Sequence, residues 1–187
     1  MSRALAILVA ATLVQGTAWA QAESPAPATD PGTKLAFPAT LGGAHFERSA
    51  NGPGRGTTYV YSTPKNMVIT VQIFDNGRPV PPGSVNPVVV GEFTKELQAI
   101  EQQVTDSGYT HFERPAVPSA CTYGRLTFRC ITYGALTQGN ARIYSKLLLT
   151  GYREHFIEIH IDWGQALQHT SADAEAALQA FVPALMH

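Results

Sequence analysis

The chain has 187 residues, with 13 basic and 14 acidic side chains and a formal net charge of -1. This balance excludes nucleic acid as an expected partner, because nucleic-acid-binding domains need a basic surface to neutralise phosphates. The length predicts a single domain that is large enough to bury its own core.

The first 20 residues have the three parts of a secretory signal peptide. Arg3 gives a positive start, Ala4–Val14 is an 11-residue stretch that is apolar apart from Thr12, and Ala18 and Ala20 place small side chains at a cleavage site. A membrane-spanning helix needs about 20 apolar residues, and Gln15 ends this run too early. We therefore predict a signal peptide over residues 1–20, export to the periplasm or the medium, and no stable membrane anchor after cleavage.

The next stretch, residues 21–34, is rich in Pro, Ala and small polar residues. Such a composition buries too little apolar surface to offset the entropy lost on ordering. We predict a flexible linker over residues 21–34, followed by one globular domain over residues 35–187.

Strands are predicted at residues 44–49, 57–62 and 67–74, where β-branched and aromatic residues are frequent and apolar residues alternate with polar ones. The Asp75-Asn76-Gly77 tripeptide and the Gly-rich residues 52–56 supply turns. The Gly-rich turn contains Arg55 but precedes a strand, whereas a phosphate-binding loop precedes a helix. It is therefore interpreted as a hairpin turn.

The first helix is predicted to begin at Asn86, a good N-cap followed by Pro87, and to end near residues 106–108. Its apolar stripe is Val89, Phe93, Leu97, Ile100 and Val104, and its polar side holds Glu92, Lys95, Glu96 and Gln103. A second helix opens with the capping box Thr170 and Asp173. Pro183 is predicted to break the last turn of that helix.

Between the two helices, strands are predicted at residues 111–114, 125–133, 141–151 and 152–163. The order of strands, helix, strands and helix indicates an α+β fold with an antiparallel sheet of about six to eight strands. The tetrapeptide HFER occurs at residues 45–48 and again at 111–114. This recurrence suggests the hypothesis of an internal duplication.

The chain has two cysteines, Cys121 and Cys130. In an oxidising compartment they are expected to form a disulfide, which would close a loop of about 10 residues and stabilise the fold by about 2.5–3 kcal/mol. Neither a Cys-x-x-Cys redox motif nor a zinc-ligand spacing is present. We predict a structural disulfide.

The best candidate site is Glu158, His160 and Asp162, which share one face of the last predicted strand because alternate residues point the same way. Two carboxylates and an imidazole suit a divalent metal or acid/base chemistry. The interpretation we adopt is instead a solvated face of a sheet that is open on one side. Under that interpretation, replacing His160 with alanine leaves stability nearly unchanged. No catalytic residue, metal site or cofactor is predicted.

Five tyrosines fall in strand segments, where they either line a binding face or pack within the sheet, packing being the more common role. These tyrosines are Tyr59, Tyr61, Tyr123, Tyr133 and Tyr144.

Three segments resemble a group of uncharacterised exported bacterial proteins: FPATLGGAHFERS, GTTYVYS and ITVQIFDNG. The order of elements is similar to that of PsbP/Mog1-like α+β domains. Neither resemblance carries a functional residue, and fold likeness alone does not imply function. We expect an exported accessory domain that binds an envelope protein or another cell-envelope component. The alternative is a hydrolase or metal-binding protein that uses the face of Glu158, His160 and Asp162.

Overall fold

The structure is a computed structural model that describes residues 28–52, 56–137, 139–164 and 167–187. The predicted signal peptide lies outside the described residues. In chain order the elements are β1 (Ala28–Thr29), β2 (Ala36–Phe37), β3 (Thr40–Leu41), β4 (Ala44–Gly52), β5 (Gly56–Ser62), β6 (Val68–Phe74), α1 (Pro87–Asp106), β7 (Thr110–Glu113), β8 (Ser119–Tyr123), β9 (Leu126–Leu136), β10 (Arg142–Tyr152), β11 (His155–Gly164) and α2 (Ser171–Leu185).

One antiparallel sheet dominates the fold. Its strands follow the order β3-β4-β5-β6-β11-β10-β9-β7, and β8 also pairs with β9. The strands β1 and β2 form a separate hairpin. The predicted α+β class, the antiparallel sheet and the order of strands, helix, strands and helix are confirmed. Among the described residues, no helix is long and apolar enough to cross a membrane.

The two helices cover opposite faces of the sheet. On one face, α2 packs over a core to which β11 contributes Ile157, Ile159 and Ile161. On the other face, α1 packs over a second core that includes Leu147 and Phe156. The expectation of a sheet open on one side is therefore wrong for β11, because the apolar stripe of α1 is buried against the face expected to be solvated.

The helix starts agree with the sequence prediction, but one helix end does not. The Asn86 side chain accepts a hydrogen bond from the Val88 N–H at 3.0 Å, and Thr170 and Asp173 form the predicted capping box. Pro183 lies inside α2 and does not break it. Proline has no backbone N–H and therefore removes one hydrogen bond from a helix. Nevertheless, α2 continues past Pro183 and ends at Leu185.

The folded region begins earlier than predicted. Asp30 is buried, and its Oδ2 accepts hydrogen bonds from the Thr33 N–H and the Thr33 hydroxyl, both at 2.7 Å. The Tyr59 hydroxyl donates to Asp30 Oδ1 at 3.3 Å, and burial together with the charge of Asp30 raises the pKa of Tyr59 to about 12. Residues 28–34 are thus part of the fold, and the predicted linker over residues 21–34 is too long. Residues 21–27 lie outside the described part of the chain.

The two HFER copies occupy different environments. Phe46 lies in β4 and packs edge-on against Tyr61, with ring centroids 5.2 Å apart, in the core beneath α2. Phe112 lies in the edge strand β7 and packs against Tyr133 in the core beneath α1, with ring centroids 5.6 Å apart. The copies therefore face opposite sides of the sheet, and the duplication stays a hypothesis.

The two cysteines lie on neighbouring strands. Cys121 is in β8 and Cys130 in β9, with Cα atoms 6.1 Å apart and sulfur atoms at disulfide distance. The pair links β8 to β9, near one edge of the sheet, on the side of the core beneath α2.

Candidate functional site

The structure brings the predicted residues Glu158, His160 and Asp162 together on one face of β11, beneath α1. His160 Nε2 lies 2.8 Å from Glu158 Oε1, and both side chains are only 1% exposed. Asp162 is half-buried and accepts a hydrogen bond from the Ser145 hydroxyl. The prediction of a shared face is confirmed, and the interpretation of that face as solvated is wrong.

The neighbouring strands and α1 enclose this cluster in a polar layer. In β6, Gln72 lies opposite Glu158 and Thr70 opposite His160, and both are buried. In the adjoining strands, Ser145 and Tyr133 are buried beside Asp162. From above, α1 contributes the carboxylate of Glu96, whose charge acts on His160.

Electrostatics within the cluster favour a charged imidazole. Burial alone lowers the pKa of His160, but the hydrogen bond and charge of Glu158, with the charges of Asp162 and Glu96, raise it above its ordinary value. Burial raises the pKa of Asp162, against the lowering effects of the His160 charge and the Ser145 hydrogen bond. The neighbouring carboxylates therefore favour the protonated form of His160 in a water-poor layer.

Burial limits access to the cluster. Within the described ranges, no group of three His, Cys, Asp or Glu side chains is placed to hold a metal ion. Glu158 and His160 are almost fully covered, so substrate would have no approach to them without movement of α1. We interpret the cluster as an electrostatic anchor between β11 and the underside of α1.

The tyrosines are mostly packing residues. Tyr59, Tyr61, Tyr123 and Tyr133 are buried, and Tyr144 is half-buried and stacks on Trp163 with ring centroids 5.7 Å apart. The packing interpretation is thus confirmed for the four buried tyrosines, which offer no binding face.

An open cleft, which was not predicted from the sequence, lies beside the buried cluster. Its volume is about 530 Å³, within the usual range for ligand sites. Asp75 and Arg78 line one wall, Glu92 and Lys95 of α1 line the other, and Phe74 lies between them. The next residue on the same face of β6 is Gln72, the neighbour of Glu158, so the cleft and the buried cluster adjoin.

Local backbone geometry brings the two walls together. Asp75 Oδ1 accepts a hydrogen bond from the Gly77 N–H at 2.8 Å, and Asn76 and Gly77 have positive φ values of 55° and 76°. This turn directs the chain towards the start of α1. Each element was predicted, but nothing in their local patterns shows that they face each other.

Glu92 was placed on the solvent side of the helix, yet it is only 7% exposed. Its Oε2 pairs with Lys95 Nζ at 3.0 Å, and Lys95 itself is largely exposed. Buried charged groups are usually paired with a group of opposite charge, as Glu92 is with Lys95. The available signal was the spacing of three residues, which brings Lys95 onto the same side of the helix as Glu92.

Comparison with known proteins finds no matching family model and no curated protein of significantly similar sequence. The resemblances to exported bacterial proteins and to PsbP/Mog1-like domains therefore stay predictions. Function has to be inferred from the residues that the fold brings together.

Proposed function

We propose that this protein is an exported accessory domain that binds an envelope protein or another cell-envelope component through the cleft between residues 75–78 and α1. The observation that carries the proposal is the lining of this cleft, in which Asp75, Arg78 and Lys95 border an open volume of about 530 Å³, with the covered Glu92 paired to Lys95. Charges of both signs select a partner by electrostatic complementarity. The charged lining of the cleft is therefore complementary to a polar segment of a partner that carries both positive and negative groups.

The residues that line the cleft favour binding over hydrolysis. The described lining of the cleft contains no serine, cysteine or histidine, so it lacks a nucleophile held beside a general base. The imidazole with the most suitable neighbours, His160, is sealed beneath α1. The proposed function requires no cofactor.

Export is supported by the sequence of residues 1–20 and by the cysteine pair at disulfide distance. When residues 1–27 are fused to a reporter enzyme that is active only outside the cytoplasm, we expect the fusion to be exported and the reporter to be active. We also expect the exported protein to begin at Gln21. The Leu8→Arg variant should abolish reporter activity, because it interrupts the apolar run. Reporter activity that survives Leu8→Arg, or a mature chain that keeps its first 20 residues, would contradict this part of the proposal.

The cleft is tested by reversing one charge on its rim. Arg78 is exposed and makes no ion pair among the described residues, so Arg78→Glu should leave the fold intact. We expect the variant to retain at most about one fifth of the envelope component captured by the wild type, which corresponds to about 1 kcal/mol. The measurement is quantitative capture from an envelope fraction by the immobilised mature chain.

The matched control is Arg125→Glu, the same change at an exposed position in the turn between β8 and β9, outside the cleft. It should capture as much as the wild type. If both variants capture equally, whether at the wild-type level or well below it, the cleft is not the binding site.

A further inference from the structure

A second, smaller cleft of about 170 Å³ lies between the β1–β2 hairpin, the turn from β10 to β11 and the end of α2. Its floor is apolar, since Leu35, Leu41 and Leu185 line it and each is at most 6% exposed. Ala184 adds to the same wall from the last turn of α2. The leucines therefore form the base of a small cleft whose accessible lining is part apolar and part polar.

Two cations, Lys34 and Arg153, border this floor, and His187 at the end of the chain lines the same cleft. Lys34 Nζ donates to the Pro31 carbonyl and Arg153 Nη1 donates to the Thr33 carbonyl, both at 2.6 Å. In the described part of the chain, neither side chain forms an ion pair. Each head group donates to a backbone carbonyl, and the Arg153 guanidinium also lies over the Tyr152 ring, 5.1 Å from its centroid. Such cations can still donate a charge-assisted hydrogen bond to a carboxylate.

Lys34 and Arg153 also both have a strained, left-handed backbone conformation. Lys34 has φ of 62°, and the turn from β10 to β11 places Arg153 at 46° and Glu154 at 65°. Two consecutive positive φ values at a two-residue hairpin turn strongly favour Asn-Gly. Non-glycine residues in this region cost of order 1 kcal/mol each, and such strain concentrates at functional sites.

We propose that this cleft binds an aliphatic monocarboxylate, with the tail on the leucine floor and the carboxylate between Lys34 and Arg153. An apolar floor offers nothing to an inorganic anion, whereas a hydrocarbon tail gains free energy by covering it. The volume limits the tail to about four to six carbons, at roughly 30 Å³ for each group of water size. This site is separate from the cleft beside α1 and does not depend on the function proposed for it.

The test is a titration of the mature, oxidised protein with hexanoate, followed by amide shifts in NMR spectra. We expect saturable shifts at residues 34, 153 and 185 with a Kd of about 1 mM, the affinity of a ligand of this size. Hexylammonium has the same tail with the opposite charge, and acetate has the same charge without the tail. Both should bind at least about tenfold more weakly.

Two variants address the two halves of the site. Arg153→Asn removes the cation but tolerates a positive φ. The variant loses the hydrogen bond to the Thr33 carbonyl but should still fold, and it should weaken hexanoate binding about fivefold or more. Ala184→Leu keeps a helix-forming residue and should block the tail. Equal binding of hexylammonium, acetate binding as tight as that of hexanoate, or wild-type affinity in both folded variants would each overturn the proposal.

Discussion

Replacing His160 with alanine is expected to lower the free energy of unfolding by about 3–5 kcal/mol. The substitution leaves a cavity in a packed layer, and it strips the Glu158 carboxylate of the cation 2.8 Å away. Removing one member of a buried ion pair typically costs this much, because the remaining charge is uncompensated. Urea unfolding of the oxidised protein, monitored by circular dichroism, measures the loss.

The matched control is His45→Ala, which removes an imidazole from an exposed position of β4. Its effect should stay within about 0.5 kcal/mol, as for most surface substitutions. A His160→Ala variant that unfolds at the same urea concentration as the control would contradict the buried pair and restore the solvated-face interpretation.

The double variant Glu158→Leu with His160→Leu distinguishes an ion pair from simple packing. Replacing both members of a buried pair with apolar residues is often nearly neutral. We therefore expect the double variant to be more stable than His160→Ala, even though it changes one more residue. A double variant that is no more stable than His160→Ala would contradict the coupling of the two side chains.

The pH dependence follows from the raised pKa of His160. A group with a raised folded-state pKa contributes stability that is fully present below its unfolded pKa, about 6.5 for histidine, and is lost as pH rises through the folded value. Asp162 also has a raised pKa and acts in the same direction at lower pH. The cost of His160→Ala should therefore be larger at about pH 5.5 than at about pH 8. The opposite trend would show that His160 is neutral in the folded protein.

The cluster shows what the sequence pattern of one strand can and cannot specify. Alternation placed Glu158, His160 and Asp162 on one face, as the structure confirms. It could not specify what covers that face. A polar face exposed to solvent and a polar face buried against partners both show the same alternation in the sequence. The neglected signal was Phe156, which shares the face and packs against Phe74 with ring centroids 4.9 Å apart.

The two clefts could not be predicted for a different reason. Each is formed by separate segments of the chain, which in the smaller cleft are as far apart in sequence as Lys34, Arg153 and Ala184. Local patterns specify elements and their faces, but the distance between segments depends on the sheet order and on which face each helix covers. The turn at Arg153 and Glu154 was also missed, because neither residue favours the left-handed backbone that it adopts.

Gly42→Ala is expected to destabilise the protein by about 3–4 kcal/mol through the docking of α2. Gly42 lies in the turn between β3 and β4 with φ of +56°, and a Cβ there would lie 2.5 Å from the Phe181 Cα and 2.6 Å from the Ala180 carbonyl oxygen. Both contacts are with helix backbone, which cannot rotate away. The helix would have to shift, and the edge-to-face contact between Phe181 and Tyr61, at 5.1 Å, would weaken.

A substitution at the neighbouring Gly43 is the control that shows backbone strain without the steric clash. Gly43 has φ of +83°, and a Cβ built on it meets no atom within 4 Å. Gly43→Ala should therefore cost only the strain of a left-handed alanine, about 1–2 kcal/mol. Chemical denaturation of the two variants gives the difference, about 2 kcal/mol, as the cost of displacing α2. Equal losses would mean that α2 does not contact this turn closely, and the packing of the helix against β3 would have to be revised.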